Sequence, residues 1–265
     1  GARDPFGFRP LVIGKRDNSY LLASETCALD AVGATFVRDV KPGEIVMLDK
    51  NGITSDESLC TVKPARCIFE YIYFARPDSY VDGVSVYNSR IMAGNAAAMG
   101  FALESNIPYG VGFIKNSYVG RTFIKPKQSA RESSVNIKLN ALKEVVSGKR
   151  VVMGDDSIVR GTTSGHIVKM LKDAGATEVH VRISSPPFLF PCYFGTDVPS
   201  CDQLIAHDHT VSQICELIGA DSLGYLDGER LPELIEGETG YCDACFSGNY
   251  PVEPPTEDIR GSFEP

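Results

Sequence analysis

Apolar positions recur with two different periods along the chain, and the change of period separates predicted strands from predicted helices. Residues 151–153 form a short apolar run rich in β-branched side chains, which favours a strand. After a loop of small residues, four apolar positions recur at spacings of three and four, as on one face of a helix: Ile167, Met170, Leu171 and Ala174. Gly175 is a typical helix stop, and residues 179–183 are the next predicted strand. This pattern predicts a parallel sheet with the loop at its carboxyl edge, where such folds bind ligands.

The same reasoning predicts elements elsewhere. Predicted strands cover residues 11–13, 20–23, 45–48, 68–73 and 111–114, and the alternation of Val135, Ile137 and Leu139 adds another. Predicted helices cover residues 28–34, 95–105 and 204–217, the last in two pieces. Asn51-Gly52 predicts a tight hairpin turn.

The loop at residues 154–164 combines two kinds of polar group. Backbone N–H groups at a helix start suit a phosphate, Gly161 lets the backbone approach it, and residues 162–164 add hydroxyls. Asp155 and Asp156 would repel a phosphate, so they fit sugar hydroxyls or a hard cation such as magnesium. The alternative is an acidic turn that caps an ordinary helix. The ordered series DDSIVRGTT at a strand end favours a sugar phosphate.

Composition and charge restrict the class of protein. The 265 residues are 43% hydrophobic and 23% charged, which is typical of a globular chain with one large domain or two small ones. The net charge of −8 argues against nucleic acid as a partner. No apolar run has the length of a membrane span and no signal segment opens the chain, so we expect no membrane partner and a cytoplasmic location.

Only one pair among the eight cysteines has the spacing of metal ligands. Cys242 and Cys245 form a C-x-x-C pair, which lets two thiolates reach one metal. Zinc would need a second close pair, and the surrounding glycines and prolines argue against a thioredoxin-like redox pair. The spacing alone leaves the role of this pair open.

Several segments, in order, resemble the amidophosphoribosyltransferases, which contain a type I phosphoribosyltransferase domain. They are CIFEYIYFARPDS from Cys67, YVGRTFI from Tyr118, DDSIVRGTT from Asp155, ATEVHVRISSPP from Ala176 and CDACFSGNYP from Cys242. Near the start, DPFGFRPL, SETCALDAVGA and RDVKPGEIV resemble the end of the family's glutaminase domain. The resemblance implies an α/β fold: a partial Ntn-hydrolase-type glutaminase segment (1–61), a phosphoribosyltransferase domain (62–250) and a loose tail (251–265).

The resemblance also implies an activity in de novo purine biosynthesis. In this family, ammonia from glutamine attacks C1 of 5-phosphoribosyl pyrophosphate (PRPP) and gives 5-phosphoribosylamine. Asp155 and Asp156 would orient the ribose hydroxyls and associate with magnesium. The residues expected to hold the 5-phosphate are Ser157, Ile158, Val159, Arg160, Gly161, Thr162 and Thr163. Lys115 and Arg121, in a segment similar to the family's mobile loop, would lie near the departing pyrophosphate, although the spacing alone equally fits a solvated basic turn.

One branch of the family carries a 4Fe-4S cluster. Its cysteine ligands match Cys67, Cys192, Cys242 and Cys245, so the resemblance implies that these four hold such a cluster. The remaining four cysteines are expected to be structural thiols. The family further implies purine nucleotides as feedback inhibitors and a homo-oligomer for the full-length protein.

Two departures from the family pattern accompany this likeness. The family's glutaminase nucleophile is an N-terminal cysteine, whereas this chain starts at Gly1, so we expect a fragment that does not hydrolyse glutamine. Between Arg90 and Asn95, a strand and a turn that contact pyrophosphate in the family are expected to be missing. A non-catalytic regulatory domain that binds PRPP or a nucleotide is therefore the alternative function.

Overall fold

The computed structural model describes residues 1–92, 97–115, 139–196, 198, 200–235 and 240–254. Residues 1–61 form short antiparallel strands: β1 (Val12–Arg16), β2 (Ser19–Ala23), β3 (Thr35–Asp39), β4 (Ile45–Asp49) and β5 (Gly52–Asp56). β1 lies between β2 and β3, and the predicted turn at Asn51-Gly52 joins β4 to β5. The predicted short helix is α1 (Thr26–Ala31). Val12 and Ile13 are fully buried because β1 is covered on both faces.

The predicted strand at residues 68–73 is wrong, because a π-helical turn (Glu70–Phe74) occupies this stretch. Residues 68–72 are all buried, and a run buried on every side has no periodicity that distinguishes strand from helix. Packing decides between them: the Phe69 ring makes edge-on contacts with Phe188 and Phe246, with centroids 5.1 and 6.5 Å apart.

The middle of the chain is made of short elements. They are β6 (Arg66–Cys67), β7 (Tyr80–Val81), β8 (Val84–Ser85), α2 (Val86–Met92), α3 (Ala97–Ser105), β9 (Phe113–Lys115), β10 (Leu139–Ala141) and α4 (Lys143–Val146). The predicted helix at 95–105 is confirmed as α3, and the strand at 111–114 as β9. Val135, Ile137 and Arg121 lie outside the described residues, as do residues 93–96, which contain most of the expected gap between Arg90 and Asn95.

The predicted strand–loop–helix–strand unit is confirmed. β11 (Arg150–Asp155), β12 (Glu178–Ile183) and β13 (Ser222–Tyr225) form a parallel sheet in that order, and α5 (Thr162–Asp173) connects the first two strands. Val179, Val181 and Ile183 point into the core beneath α5, whose own apolar stripe includes fully buried Leu171. The parallel register brings Asp155 beside Ile183, so both strands end at the same edge.

The remaining elements pack around a second core rich in aromatic rings. They are the 3-10 helices Cys201–Gln203 and Gly228–Ile235, then α6 (Ile205–Asp208), α7 (Val211–Leu217), β14 (Tyr241–Cys242) and α8 (Ala244–Ser247). The helix predicted at 204–217 is confirmed in two pieces, α6 and α7. Phe188 and Phe246 join the C-terminal segment to the π-helical turn. No helix in the described part of the chain has the length and apolar character needed to cross a membrane.

The N-terminal strands are attached to the rest of the molecule by buried contacts. Arg3 forms a two-pronged ion pair with Asp82, at 2.7 and 2.8 Å. Backbone N–H groups of Ala65 and Cys67 donate to the carbonyls of Phe6 and Phe8. Contacts therefore cross the predicted domain boundary at residue 61, which stays a prediction, as does the boundary at residue 250.

Candidate functional site

The loop after β11 is held by a chain of short polar contacts. The backbone N–H of Asp156 donates to the Asp155 carboxylate at 3.0 Å, and the Ser157 hydroxyl donates to Asp156 at 2.7 Å. At the end of the neighbouring strand, the backbone N–H of Ser184 donates to the Asp155 carbonyl at 3.0 Å. The two carboxylates therefore lie at the carboxyl edge of the parallel sheet, as the sequence predicts.

The two carboxylates are kept in an environment that disfavours their charges. Burial, followed by the adjacent Asp156 charge, raises the pKa of Asp155 to about 7. Burial also raises the pKa of Asp156, against the opposing effects of the Ser157 hydrogen bond and the Arg90 charge. A pair of half-buried carboxylates in this state favours a nearby cation or a set of hydroxyl donors, because either stabilises the charged form.

The start of α5 provides the second half of the loop site. Gly161 has a φ of +77°, a conformation that favours glycine, and a Cβ there would come within 2.8 Å of the end of the Ile205 side chain and displace it. No side chain caps α5, which leaves its first backbone N–H groups directed at the loop. Thr162 and Thr163 are exposed beside these groups, and Ser164 is buried. This arrangement suits an anionic oxygen.

The middle of the loop is anchored rather than open. Ile158 is almost fully buried, and the Val159 carbonyl accepts a hydrogen bond from the backbone N–H of Ile205 at 2.9 Å. Arg160 donates to the side chain of Gln203 and lines a cavity of about 500 Å³. The structure thus brings residues 155–163 together around one strand end.

Of the two predicted pyrophosphate contacts, Lys115 ends β9 and Arg121 lies outside the described residues. Neither is placed at the loop by the described structure, so their role stays a prediction.

Arg90 is a residue that sequence reasoning missed. Its guanidinium donates to three backbone carbonyls around the end of the π-helical turn: Tyr71 at 3.1 Å, Tyr73 at 2.8 Å and Ala75 at 2.7 Å. Its positive charge also acts on Asp156 and partly opposes the rise in the pKa of that carboxyl. No local sequence pattern indicates these contacts, because the carbonyls lie 15 to 19 residues from Arg90 along the chain and Asp156 lies farther still.

The four cysteines nominated by the resemblance converge from three parts of the chain. Cys67 and Cys242 are register partners in the parallel pair β6 and β14, and the backbone N–H of Ile68 donates to the Cys242 carbonyl at 3.1 Å. The Cys245 carbonyl accepts hydrogen bonds from the N–H groups of Leu189 and Phe190, which lead directly to Cys192. The Cys192 thiol accepts from the Phe194 N–H at 3.5 Å.

The thiols are close enough to influence one another's protonation. Burial raises the pKa of Cys67 to about 12 and of Cys242 to about 11, and the charge of Cys192 adds to both rises. The pKa of Cys245 is raised well above its usual value by burial and then by the other three sulfurs. None of the four forms a disulfide. Four thiolates would repel one another here unless a positive group lay among them.

Among the described residues, no group of three or more ligands is arranged around a single metal ion. A 4Fe-4S cluster differs from a single ion because each cysteine binds a different iron, which requires a wider set of sulfurs. The four convergent cysteines fit that donor set in chemical type. The set does not include Cys27, Cys60, Cys201 or Cys215.

Comparisons with known proteins agree with this architecture. The chain matches no protein-family model. It is 49% identical to the amidophosphoribosyltransferase of Archaeoglobus fulgidus over 284 aligned residues, which cover 98% of this chain and 62% of that protein. It is 48% identical to the amidophosphoribosyltransferase of Bacillus subtilis, covering 95% of this chain and 58% of that protein. The chain therefore spans less than two thirds of the length of these relatives.

Two solved structures of similar sequence also have a similar fold. The glutamine PRPP amidotransferase of B. subtilis, complexed with ADP and GMP, superposes with a TM-score of 0.85 at 46% identity, covering 96% of this chain and 62% of that one. A structure described as the allosteric regulatory enzyme of purine biosynthesis superposes with a TM-score of 0.86, also at 46% identity, covering 97% and 61%. The likeness runs through nearly all of the 265 residues in both sequence and fold, so this chain is homologous to about three fifths of the amidophosphoribosyltransferases that it matches.

Proposed function

We propose that this chain binds PRPP at the loop after β11 and provides the phosphoribosyl-transfer site of an amidophosphoribosyltransferase of purine biosynthesis. The observation that carries the proposal is the pairing of two half-buried carboxylates with an uncapped helix start at one strand end. PRPP offers two hydroxyls to the first and a 5-phosphate to the second. Relatives at 48–49% identity that are named amidophosphoribosyltransferases support it.

The proposed reaction follows from positioning. Ammonia nitrogen bonds to C1 of the ribose, the bond from C1 to the pyrophosphate oxygen breaks, and that electron pair leaves with pyrophosphate while the amine loses a proton. Asp155 and Asp156 would hold the ribose hydroxyls, and the N–H groups of residues 161–163 would hold the 5-phosphate. Holding the reactants in line supplies much of the rate enhancement. None of the described loop residues is assigned as a general base.

We also propose that the site holds magnesium. The carboxylate oxygens of Asp155 and Asp156 are hard ligands of the kind this ion prefers, and both carboxyls lie at the same strand end. Bound magnesium would supply charge neutralisation for PRPP.

We further propose the 4Fe-4S cluster on Cys67, Cys192, Cys242 and Cys245. Its support is the convergence of three chain segments that carry these four cysteines. When bound, the cluster would tie β14 and α8 to the segment that carries Cys192, which stabilises the C-terminal part of the fold.

One of the relatives bears on the predicted regulation by purine nucleotides. The B. subtilis structure that resembles this chain was solved with ADP and GMP, which favours purine nucleotides as regulators here too. Four further points stay predictions: the use of glutamine-derived ammonia, the absence of glutamine hydrolysis by the 265-residue chain, a homo-oligomer and a cytoplasmic location.

Calorimetric titration with PRPP and magnesium tests the proposed function. Each charge-assisted hydrogen bond contributes about 1.5–3 kcal/mol, so the double change Asp155→Asn with Asp156→Asn is expected to weaken PRPP binding by at least about tenfold. The matched control changes two exposed carboxylates of the neighbouring cavity, Asp202→Asn with Asp208→Asn. Unchanged affinity in the first variant, or an equal loss in the control, would refute binding at the loop.

A further inference from the structure

A single arginine side chain lies between the two separate segments that carry Cys67 and Cys192. The Cys67 N–H donates to the carbonyl of Phe8, so Arg9 follows directly along the edge of β6. On the other side, the Phe8 ring stacks on Phe194, two residues beyond Cys192, with centroids 4.3 Å apart. The stretch at residues 8–9 therefore bridges both cysteine segments.

The guanidinium of Arg9 is fixed by three kinds of contact. It forms an ion pair with Glu70, a buried carboxylate three residues after Cys67. Its carbon lies 4.3 Å from the centre of the Phe74 ring. Gly195 packs so closely that a Cβ at that position would come within 2.7 Å of the guanidinium. These contacts hold the positive charge of Arg9 next to the segments that carry Cys67 and Cys192, and pair it with the negative charge of Glu70.

We infer that Arg9 is a positioning and charge-compensating residue for the iron-sulfur site, and that Glu70 is its opposing charge. The inference rests on the proposed cluster and goes beyond it, because the ligand set alone does not involve residues 1–61. It makes the N-terminal segment part of the environment of the cluster.

The electrostatic reasoning gives the two residues opposite effects. A cluster held by four thiolates carries net negative charge, and adding an electron increases it. A fixed cation nearby stabilises the reduced form more than the oxidised form, whereas a fixed anion does the reverse.

The test measures iron content and the midpoint potential of the cluster in the anaerobically purified 265-residue chain, by mediated titration with dithionite. Arg9→Gln is expected to lower the midpoint potential and Glu70→Gln to raise it, each on the order of a tenfold change in the reduction equilibrium, which is about 59 mV for one electron. Arg9→Lys keeps the positive charge and is therefore expected to keep the midpoint potential close to that of the wild type. A structural defect alone would not move the potential in opposite directions.

The matched control is Arg38→Gln, because Arg38 pairs with the fully buried carboxylate of Glu44 in the N-terminal strands, and no cysteine of the set takes part. It removes an equivalent partner and is expected to leave the potential unchanged. If Arg9→Gln does not fold, Glu70→Gln and Arg9→Lys still decide the question.

Potentials that stay fixed, or that shift in the same direction in the Arg9→Gln and Glu70→Gln variants, would overturn the inference and leave the cluster intact. A wild-type chain that contains no iron would overturn the cluster and the inference together, while PRPP binding is measured separately.

Discussion

At the scale of single residues, the contrast among the cysteines is the most informative feature. Burial raises the pKa of the Cys67, Cys242 and Cys245 thiols, and other sulfurs of the set add to each rise. Burial also raises the pKa of Cys215, but the charges that act on it come from acidic and basic residues and not from sulfur. Proximity to other sulfurs of the set therefore separates the proposed ligands from Cys215.

This contrast predicts the effect of removing one thiol from each group. Cys242→Ser is expected to abolish the brown colour and the iron of about four atoms per chain, because serine is a poor ligand for iron and leaves the site one thiolate short. Iron analysis and the visible absorption spectrum measure this. Cys215→Ser is the control: its thiol donates only to the Ala220 carbonyl at 3.3 Å, which a hydroxyl can replace. Loss of iron in the control, or full iron in Cys242→Ser, would contradict the ligand assignment.

At the scale of elements, the start of α5 decides whether the loop can receive a phosphate. Gly161 precedes the helix in the left-handed region, and no side chain competes for the first N–H groups. A residue with a Cβ would be strained by its φ and would press on Ile205 of the neighbouring helix. The loop and α6 are thus fitted to each other at this glycine.

Two glycines of this element allow a paired test. Gly161→Ala is expected to lower the free energy of unfolding by about 1–2 kcal/mol for the left-handed conformation, and to weaken PRPP binding. Gly165→Ala, one turn later inside α5, would meet Ile218 at an ordinary 3.5 Å and gain about 1 kcal/mol of helix propensity. Urea unfolding and calorimetry give both quantities. Equal stability of the two variants would show that the conformation of Gly161 does not matter.

At the scale of the whole molecule, a buried ion pair attaches the N-terminal strands to the rest of the chain. The side chains of Arg3 and Asp82 are 2% and 8% exposed, so this pair is shielded from water. Arg3 also donates to the carbonyls of Gly7, Arg9 and Val40. Nε of Arg66 lies 3.0 Å from the same Asp82 carboxylate, without the alignment of a hydrogen bond. One carboxylate therefore holds two arginines at this junction.

Neutralising the Asp82 carboxylate is expected to lower the free energy of unfolding. Asp82→Asn is expected to destabilise the protein by about 3–5 kcal/mol, because it leaves a buried cation without its counter-charge. Asparagine tolerates the positive φ of 48° at this position, so backbone strain does not contribute. The control is Asp78→Asn, which breaks the exposed pair with Arg76 and is expected to cost about 0–1 kcal/mol. Similar denaturation midpoints for both variants would contradict the role given to the junction.

The sequence by itself determined the features that depend on near neighbours along the chain. The unit from β11 through α5 to β12 was predictable because each of its signals lies within a short stretch of sequence. These signals are the strand and helix periods, a helix stop and a loop of small residues. The hairpin at Asn51-Gly52 was predictable for the same reason. The DDSIVRGTT series located the candidate site, and the family likeness nominated the cysteines.

Only the tertiary structure decided what depends on distant partners. The π-helical turn at Glu70–Phe74 forms where a strand was predicted, because a run buried on every side takes its form from what packs on it. The carbonyls that hold Arg90 come from that turn and from Ala75 directly after it, and the stacked rings of Phe8 and Phe194 are more than 180 residues apart in the sequence. Local sequence patterns indicate which side chains prefer burial. Contacts between charges that are distant in the sequence form only when the chain packs.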